Sequence, residues 1–264
     1  MAVPPRLIVS QSDVVSLPNM MMNRGTAEQL NQLVAESSNI VFFGGAGVSV
    51  PSGIPDFRSD NGLYKKQYRY PAETMLSHDF FFSRTEEFYE FYREAMLYPD
   101  AKPNAAHLKL AELERAGKLK AVITQNIDGL HQAAGSKNVL ELHGSVLRNH
   151  CIHCDEFYPL DTILNSTGVP KCEKCGGIIK PDVVLYGEGL DEKTITRSVR
   201  AIEQCDLLIV GGTSLSVWPA AGLIQYMRRD AKLAIVNLSP TDADRNAQLV
   251  IQEGIDSVFS KIKV

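Results

Sequence analysis

Residues 44–58 of the chain read GGAGVSVPSGIPDFR, and they follow the apolar run IVFF at positions 40–43. The short β-branched and aromatic run predicts a buried parallel strand. Glycines directly after a strand let backbone N–H groups approach a phosphate, because no Cβ stands in the way. The G-x-G spacing is present at Gly45 and Gly47, but Val50 occupies the third glycine position. The common dinucleotide-binding fingerprint is therefore incomplete.

The second half of this stretch carries an acid, an aromatic ring and a cation in a row, at Asp56, Phe57 and Arg58. A glycine turn of this kind is often only a structural loop. Here the three side chains are held between prolines and glycines, which suits a loop that closes over a charged, aromatic ligand. We favour that second interpretation.

Further apolar runs predict strands at 121–124, 139–142, 181–188, 207–210 and 233–236. Helical patterns at 26–34, 103–115, 191–204 and 220–229 lie between them. Strands that alternate with helices and end in small or polar residues indicate an α/β fold with a doubly wound, Rossmann-like parallel sheet. Aromatic residues that recur from 80 to 98 predict a small helical layer with an aromatic core, or alternatively the lining of a ligand tunnel.

The chain has 264 residues and a formal net charge of -4, with 44% hydrophobic and 22% charged residues. This composition is typical of a globular protein, and its charge gives no general attraction to nucleic acid or to an anionic membrane. Residues 1–24 lack the basic segment and uninterrupted apolar run of a secretory signal, so we interpret them as the leader of a cytoplasmic protein.

Four of the five cysteines form two C-x-x-C pairs separated by 17 residues: Cys151, Cys154, Cys172 and Cys175. Four thiolates at this spacing predict one tetrahedral zinc ion, and a site without an open position is structural. Asp155 and Gly176 follow the two pairs, as in turns that aim backbone N–H groups at sulfur. His150 and His153 are alternative ligands, although four cysteines suffice. Cys205 is expected to be a small buried side chain.

Polar side chains gather where the predicted strands end. Gln125, Asn126 and Asp128 follow one strand, and His143 follows the next along the chain. The carboxyl edge of a parallel sheet is where open α/β folds bind ligands, and an imidazole there can act as a general base near neutral pH. The alternative for His143 is a histidine that is only hydrogen-bonded structure. His107 and His131 are interpreted as packed or capping.

Other strand ends carry further candidates. Asp56 and Asp128 are either turn caps or contacts to the ribose or amide of a ligand. Thr213 and Ser214 suit phosphate or ribose hydroxyls, and Asn237 suits a ribose or an adenine edge. Each signal is weak alone, but together they describe a site for NAD that is spread over several strand ends.

The ordered motifs resemble those of the sirtuins, a family of NAD-dependent protein lysine deacylases, and bacterial members in particular. They are GAGVS at 45–49, SGIPDFR at 52–58, TQNID at 124–128, LHG at 142–144, the paired C-x-x-C, GE at 187–188, GTS at 212–214 and NL at 237–238. The resemblance extends from about Thr26 to the C-terminus. It implies a large Rossmann-like part formed by residues 25–58, 103–145 and 181–264. A small domain would combine a helical insert at 59–102 with a zinc module at 146–180.

The resemblance also implies a mechanism. In this family the acyl oxygen attacks the anomeric carbon of the nicotinamide ribose, nicotinamide leaves, and the acyl group ends on ADP-ribose. His143 would take a proton from the ribose hydroxyls, while Asn126 and Asp128 would order the ribose and the nicotinamide amide. Phe57 would shield the departing ring and Arg58 would help to hold the loop closed. The remaining implied cofactor contacts are Ala46, Gly47, Val50, Asp56, Gln125, Ile127, Gly212, Thr213, Ser214, Asn237, Leu238 and, late in the chain, Ile255 or Asp256.

An acylated lysine peptide would enter the cleft opposite NAD and pair with the backbone as an extra strand. The implied contacts are Val184, Tyr186, Gly187, Glu188, Gly189 and Val217. Leu185 and Tyr186 stand where two phenylalanines are usual, and Ser59 stands where glycine is common. No tyrosine-plus-arginine signature for acidic acyl groups is evident at 64–67, so we expect an acetyl-like substrate.

Two other functions remain open at this point. The first is NAD-dependent transfer of ADP-ribose to a protein side chain at the same site. The second is a zinc-ribbon module that binds nucleic acid, which the net charge of -4 and the lack of a basic and aromatic stripe disfavour. We expect a monomer whose partners are acylated proteins, with no direct contact to nucleic acid or membrane.

Overall fold

The computed structural model describes residues 25–264, so the predicted leader at 1–24 lies outside the described residues. The strands are β1 Ile40–Gly44, β2 Leu119–Thr124, β3 Val139–Glu141, β4 Gly144–Cys151, β5 Phe157–Pro159, β6 Ile179–Val183, β7 Leu207–Gly211, β8 Lys232–Val236 and β9 Leu249–Ile251. The α-helices are α1 Ala27–Glu36, α2 Ala72–Met75, α3 His78–Ser83, α4 Thr85–Ala95, α5 Ala105–Arg115, α6 Leu130–Ala133, α7 Leu160–Leu164, α8 Glu192–Gln204 and α9 Ile255–Phe259. None of these helices is long and apolar enough to cross a bilayer.

The main sheet has six parallel strands in the order β3-β2-β1-β7-β8-β9. Every residue of β1 and β7 is buried, as expected of central strands with helices on both faces. One core lies between the sheet and α1, α5 and α9, and a second lies on the face that α8 covers. The chain order reverses between β1 and β7, where doubly wound sheets bind ligands. The predicted Rossmann-like class is confirmed.

A smaller antiparallel sheet, in the order β5-β4-β6, packs with α2, α3, α4 and α7 around a separate core. Its largest side chains are aromatic: Phe81, Phe88, Tyr89 and Tyr92 are fully buried. The Phe88 and Tyr92 rings stack, with their centroids 5.3 Å apart. The aromatics of the helical insert are therefore mainly core, as the preferred interpretation predicted.

Two predicted elements differ from the structure. The strand expected at 181–188 is β6, which ends at Val183 and belongs to the small sheet. The next residues turn, because the Glu188 N–H donates to the Leu185 carbonyl and Gly187 has a φ of 91°. The helix expected at 220–229 is a 3-10 helix over Ala220–Tyr226. Gly222, a poor helix former, lies inside that segment.

The junction of the two parts lies close to the boundaries expected from the sequence. β4 begins at Gly144 and β6 ends at Val183, so the small sheet also includes 144–145 and 181–183. The division of the chain into domains stays a prediction.

Two histidines are buried inside the large part. His107 lies in the first turn of α5, where the Asn104 N–H donates to its Nδ1 at 3.3 Å, so it caps the helix as expected. The His131 ring lies 4.7 Å from the His107 ring and contacts Phe42. Burial lowers the pKa of His107 to about 4 and, together with the neighbouring His107, that of His131 to about 3. Both rings are therefore neutral at physiological pH.

Candidate functional site

A single cavity of about 980 Å³ lies between the carboxyl edge of the main sheet and the small part. It is lined by the loops that follow β1, β2, β7 and β8, by His143 and by residues 183–188. The predicted site residues that line it are Ala46, Gly47, Val50, Asp56, Phe57, Arg58, Gln125, Asn126, Ile127, Asp128, His143, Val184, Tyr186, Gly187, Glu188, Gly212, Thr213, Ser214, Val217, Asn237, Leu238 and Ile255. Gly189 is exposed and does not line it. Loops far apart in the chain thus meet around one space.

The glycines after β1 and β7 let two backbones touch. The Gly47 N–H donates to the Gly212 carbonyl at 2.8 Å, and the Gly45 N–H donates to the Gly211 carbonyl at 3.3 Å. A Cβ on Gly212 would lie 2.4 Å from the amide nitrogen of Val48, and the φ of Gly212 is 59°. These glycines therefore serve close packing of the loops. The amides of Gly45 and Gly47 are engaged and do not point freely at a phosphate.

Ser49, which had no predicted role in the site, links the glycine loop to the loop after β2. Its hydroxyl donates to Asp128 Oδ2 at 2.6 Å and accepts from Asn126 Nδ2 at 3.0 Å. The Leu130 N–H donates to the other carboxylate oxygen of Asp128 at 2.9 Å. Burial raises the pKa of Asp128, while the hydrogen bonds from Ser49 and Leu130 oppose that rise. The network fixes the Asn126 amide and the Asp128 carboxylate at the cavity wall.

A second network holds the loops after β7 and β8. The Thr213 N–H donates to Asn237 Oδ1 at 3.0 Å, and Asn237 Nδ2 donates to the Thr213 carbonyl at 2.9 Å. Gln125 Nε2 donates to Thr213 Oγ1 at 3.0 Å. Three strand ends are therefore joined by side chains that were predicted to contact one ligand.

His143 lies at the floor of the cavity, half-buried. Its Nδ1 is 3.0 Å from the Gln125 carbonyl oxygen, which can only accept, so Nδ1 carries the proton and Nε2 has a free lone pair. Burial lowers the pKa of His143, and the hydrogen bond to Gln125 partly opposes this change. The imidazole is therefore neutral near pH 7 and can accept a proton at Nε2.

The backbone around His143 is fixed by the small sheet. The Val184 N–H donates to the His143 carbonyl at 3.0 Å. Gly144 has a φ of 75°, and a Cβ there would lie 1.7 Å from the Asp182 carbonyl oxygen. Only glycine fits at this crossing of β4 and β6. The position of His143 thus depends on both parts of the molecule.

The loop after the glycine segment folds back on itself. The Ser59 N–H donates to Asp56 Oδ1 at 3.0 Å, and the Tyr64 N–H donates to the Phe57 carbonyl at 2.9 Å. The Phe57 and Tyr64 rings are 5.5 Å apart, and the Arg58 guanidinium lies 5.5 Å above the Tyr64 ring. The acid, ring and cation of the sequence motif are thereby presented as one unit beside the cavity.

Glu188 has a structural role that its sequence position did not reveal. Its Oε2 accepts from the Leu185 N–H at 2.9 Å and from Lys180 Nζ at 3.2 Å. The side chain thereby closes the turn at 185–188 and shapes the far wall of the cavity. Asp256, the alternative to Ile255 for the late cofactor contact, also lines the cavity. Trp218 lines it as well and was not predicted, because no local motif marks it.

The four paired cysteines form the only group of three or more potential metal ligands found within residues 25–264, with their sulfur atoms within 4.8 Å of one another. Tetrahedral zinc with bonds of about 2.3 Å places sulfur atoms roughly 3.8 Å apart, so the set fits this ion. Both turns carry a residue with positive φ, Asp155 at 59° and Gly176 at 73°. The His153 N–H lies 3.4 Å from Cys151 Sγ, as expected for a zinc knuckle.

The competing histidine ligands are not needed at this centre. His150 Nδ1 is 2.8 Å from Asp182 Oδ1 and is therefore engaged elsewhere. Four thiolates leave no open position on a tetrahedral ion, so the zinc is structural. Cys205 is fully buried, as predicted, and burial raises the pKa of its thiol to about 11.

Comparison with known proteins agrees with this architecture. The Sir2 family model matches residues 45–219. An NAD-dependent protein deacetylase of Clostridium acetobutylicum is 60% identical over 237 residues, which cover 89% of this chain and 96% of that protein. A protein of the same name from Cutibacterium acnes is 50% identical over 240 residues, covering 90% and 98% of the two chains.

Solved structures give the same result. A Sir2 protein with a deacetylated peptide and 3'-O-acetyl ADP-ribose is 42% identical, with a TM-score of 0.82 over 89% of this chain and 96% of that one. A Sir2 protein bound to an acetylated peptide is 40% identical, with a TM-score of 0.80 over 89% and 95% of the two chains. The predicted resemblance is confirmed, and the chain belongs to the Sir2, or sirtuin, family.

Proposed function

We propose that this protein removes acetyl groups from lysine side chains of proteins and consumes NAD, giving nicotinamide, O-acetyl-ADP-ribose and free lysine. The observation that carries the proposal is the neutral His143, with Nε2 free, on the same cavity as the Ser49–Asn126–Asp128 network. Similar proteins named NAD-dependent protein deacetylase, and Sir2 structures with acetylated peptide or acetyl ADP-ribose, support it.

NAD supplies an electrophilic anomeric carbon with nicotinamide as its leaving group. Asn126 and Asp128 bind and orient the ribose and the nicotinamide amide, beside Ile127 and Asp56. Phe57 covers the place that the nicotinamide ring vacates, and so excludes water from a carbon that carries positive charge. The other cofactor contacts in this proposal are Ala46, Gly47, Val50, Arg58, Gln125, Gly212, Thr213, Ser214, Asn237, Leu238 and Ile255.

His143 takes a proton from a ribose hydroxyl at Nε2. The hydrogen bond from Nδ1 to the Gln125 carbonyl holds the ring in the required tautomer and steadies it when it becomes charged. Because burial lowers the pKa of His143, the base form predominates at neutral pH.

The acetyl-lysine peptide adds as a short strand at the far wall of the cavity. Val184, Tyr186, Gly187, Glu188, Gly189 and Val217 are the proposed contacts. The Tyr186 N–H and carbonyl already bond to Leu76 and His78, and the Glu188 N–H bonds to the Leu185 carbonyl, so the backbone groups proposed to pair with the peptide are those of Gly187 and Gly189.

We further propose that the cleft divides a large part, residues 25–58, 103–145 and 181–264, from a small domain at 59–102 and 146–180. The zinc ion orders the small domain and takes no part in the chemistry. Four free thiols arranged for a metal suit a reducing compartment, which supports a cytoplasmic location. We expect the active species to be a monomer.

The test measures nicotinamide release from NAD, with and without an acetyl-lysine peptide, for the wild type and for His143→Ala. We expect release that depends on the peptide in the wild type, and a loss of deacetylation of about 10²- to 10⁴-fold in the variant. His78→Ala is the matched control, since that ring is exposed on α3, and it should behave as the wild type.

Product analysis in the same assay separates the two enzymatic alternatives. Acetyl-ADP-ribose with free lysine supports deacetylation. Protein that carries ADP-ribose, without loss of acetyl groups, would show instead that the site serves ADP-ribosyl transfer.

A further inference from the structure

Two tyrosine hydroxyls meet across the cavity. Tyr64, in the loop that carries Asp56, Phe57 and Arg58, shares a hydrogen bond between hydroxyl groups with Tyr186. The two residues are 122 positions apart in the chain. Tyr186 lies in the turn that follows β6, on the wall that faces the loop. The bond therefore joins two segments, distant in the chain, that line the same cavity.

Tyr64 contacts both Phe57 and Arg58 within the loop. Its N–H donates to the Phe57 carbonyl at 2.9 Å, its ring packs 5.5 Å from the Phe57 ring, and Arg58 lies 5.5 Å above it. A displacement of Tyr64 would move both neighbours. Burial raises the pKa of Tyr64, so its phenol is neutral and can donate at physiological pH.

Tyr186, by contrast, is anchored. Its N–H donates to the Leu76 carbonyl and its own carbonyl accepts from the His78 N–H, both at 2.9 Å. The adjacent turn is closed by Glu188 and Lys180. The backbone of Tyr186 is thus fixed to the helical insert, and its hydroxyl is a fixed point on the far wall.

The loop at 56–66 has few other contacts with the rest of the described chain. Within residues 25–264, every other hydrogen bond of the loop is internal to it, and none of its charged side chains forms an ion pair. The apolar contacts of Leu63, Phe57 and Tyr64 hold its inner side. The tyrosine pair is its one polar bond to the rest of the described chain.

We propose that the Tyr64–Tyr186 hydroxyl pair is a latch that holds the 56–66 loop closed and so positions Phe57 and Arg58 for NAD. The inference rests on the cofactor roles proposed above for those two residues. Both tyrosines act as positioning residues, since neither hydroxyl needs to touch a reacting atom. Because Tyr186 is fixed to the helical insert, the latch also couples the cofactor loop to the peptide wall.

Limited trypsin digestion of the protein without ligands tests the latch directly, because the loop contains Arg58, Lys65 and Lys66. Tyr186→Phe and Tyr64→Phe keep the rings and remove one hydroxyl each. We expect cleavage within 56–66, identified by mass spectrometry, to be about three- to tenfold faster in either variant. Tyr226→Phe, at an exposed tyrosine, is the control and should digest as the wild type. Equal rates in all variants would overturn the latch.

Kinetics of the double variant supply the second measurement. We expect each single change to raise the KM for NAD by about three- to tenfold, and the double variant to be no worse than either, since both changes break one bond. The KM for peptide should change by less than about twofold in Tyr64→Phe, because Tyr64 is not among the proposed peptide contacts. Additive effects, or a rise only in the KM for peptide, would contradict the latch and show instead that the hydroxyls contact substrate independently.

These results stay distinct from the test of the proposed function. A wild type that releases no nicotinamide would refute the deacetylase proposal, while the digestion rates would still support or reject the latch. An active wild type with unaltered tyrosine variants would reject the latch alone.

Discussion

The two walls of the cleft obtain their rigidity from different sources. The large part has fully buried central strands with aliphatic cores on both faces of a six-stranded sheet. The small part has a three-stranded sheet, four short helices and a cluster of four thiols. Small modules of this kind cannot bury enough apolar surface alone and are commonly completed by a metal. Hydrocarbon packing therefore supports the large part, while aromatic rings and the cysteine cluster support the small part.

The largest effect is expected from the loss of one zinc ligand in the small part. Cys172→Ser replaces a buried thiolate of the zinc cluster with a poor ligand. We expect bound zinc to fall from about one ion per chain to nearly none, and deacetylation to fall at least about 100-fold. Zinc analysis by mass spectrometry and the nicotinamide assay measure the two quantities.

The matched control is the fifth cysteine, which lies in the large core. Cys205→Ala also removes one buried thiol, but outside the zinc cluster, so the zinc content should remain at about one ion per chain. Proteolysis of Cys172→Ser should attack residues 146–180 first and leave the main sheet intact. Full activity in a zinc-free Cys172→Ser protein would refute a structural role for the ion.

The next effect is a loss of stability of the large part at low pH. His107 and His131 have an ordinary pKa near 6.5 when unfolded, and burial lowers these values to about 4 and about 3 in the fold. Between pH 6.5 and about 4 the unfolded chain therefore binds protons that the folded chain does not. Stability is complete above pH 6.5 and falls as the pH drops. At pH 5.0 each histidine should remove about 2 kcal/mol from the free energy of unfolding relative to pH 7.5, measured with urea.

His131→Leu separates this effect from acid release of zinc. Neither ring nitrogen of His131 has a hydrogen-bond partner among the described residues, so an apolar side chain loses no bond there. The variant should lose about half of the fall in stability between the two pH values, while its zinc content follows that of the wild type. A pH dependence equal to that of the wild type would show that His131 is not the group that titrates.

The same contrast explains what the sequence could predict. The strands of the large part are continuous apolar runs that end in glycines or polar residues, and their order along the chain implies a parallel sheet. The C-x-x-C spacing likewise indicates the metal without any knowledge of the fold. His143, Asn126 and Asp128 were found because each directly follows a strand, and the structure brings them to one cavity.

Features that depend on distant partners could not be predicted. Ser49 ends the GAGVS motif but had no predicted role, and only its bonds to Asn126 and Asp128, 77 and 79 positions away, reveal its place in the site. The expected strand at 181–188 stops at Val183 because Glu188 and Lys180 stabilise a turn. Local sequence propensity does not predict side-chain pairs of this kind. The Tyr64–Tyr186 bond was hidden for the same reason.

A local effect is expected at the point where the two walls meet. Gly144 and Gly117 have nearly the same φ, 75° and 76°, so alanine at either one carries a left-handed strain of about 1–2 kcal/mol. A Cβ at Gly117 meets nothing within 4 Å, whereas one at Gly144 would lie 1.7 Å from the Asp182 carbonyl oxygen. We expect Gly117→Ala to lower the free energy of unfolding by only about 1–2 kcal/mol and to keep full activity. Gly144→Ala should lower the free energy of unfolding by about 3 kcal/mol or more, because β6 must move away from β4. This movement displaces the His143 carbonyl as well. At temperatures where the variant stays folded, we therefore expect deacetylation to fall at least about tenfold. Urea unfolding measures these stability losses. Equal losses in the two variants would mean that β6 can move without a further loss of stability, and that the large part alone holds His143.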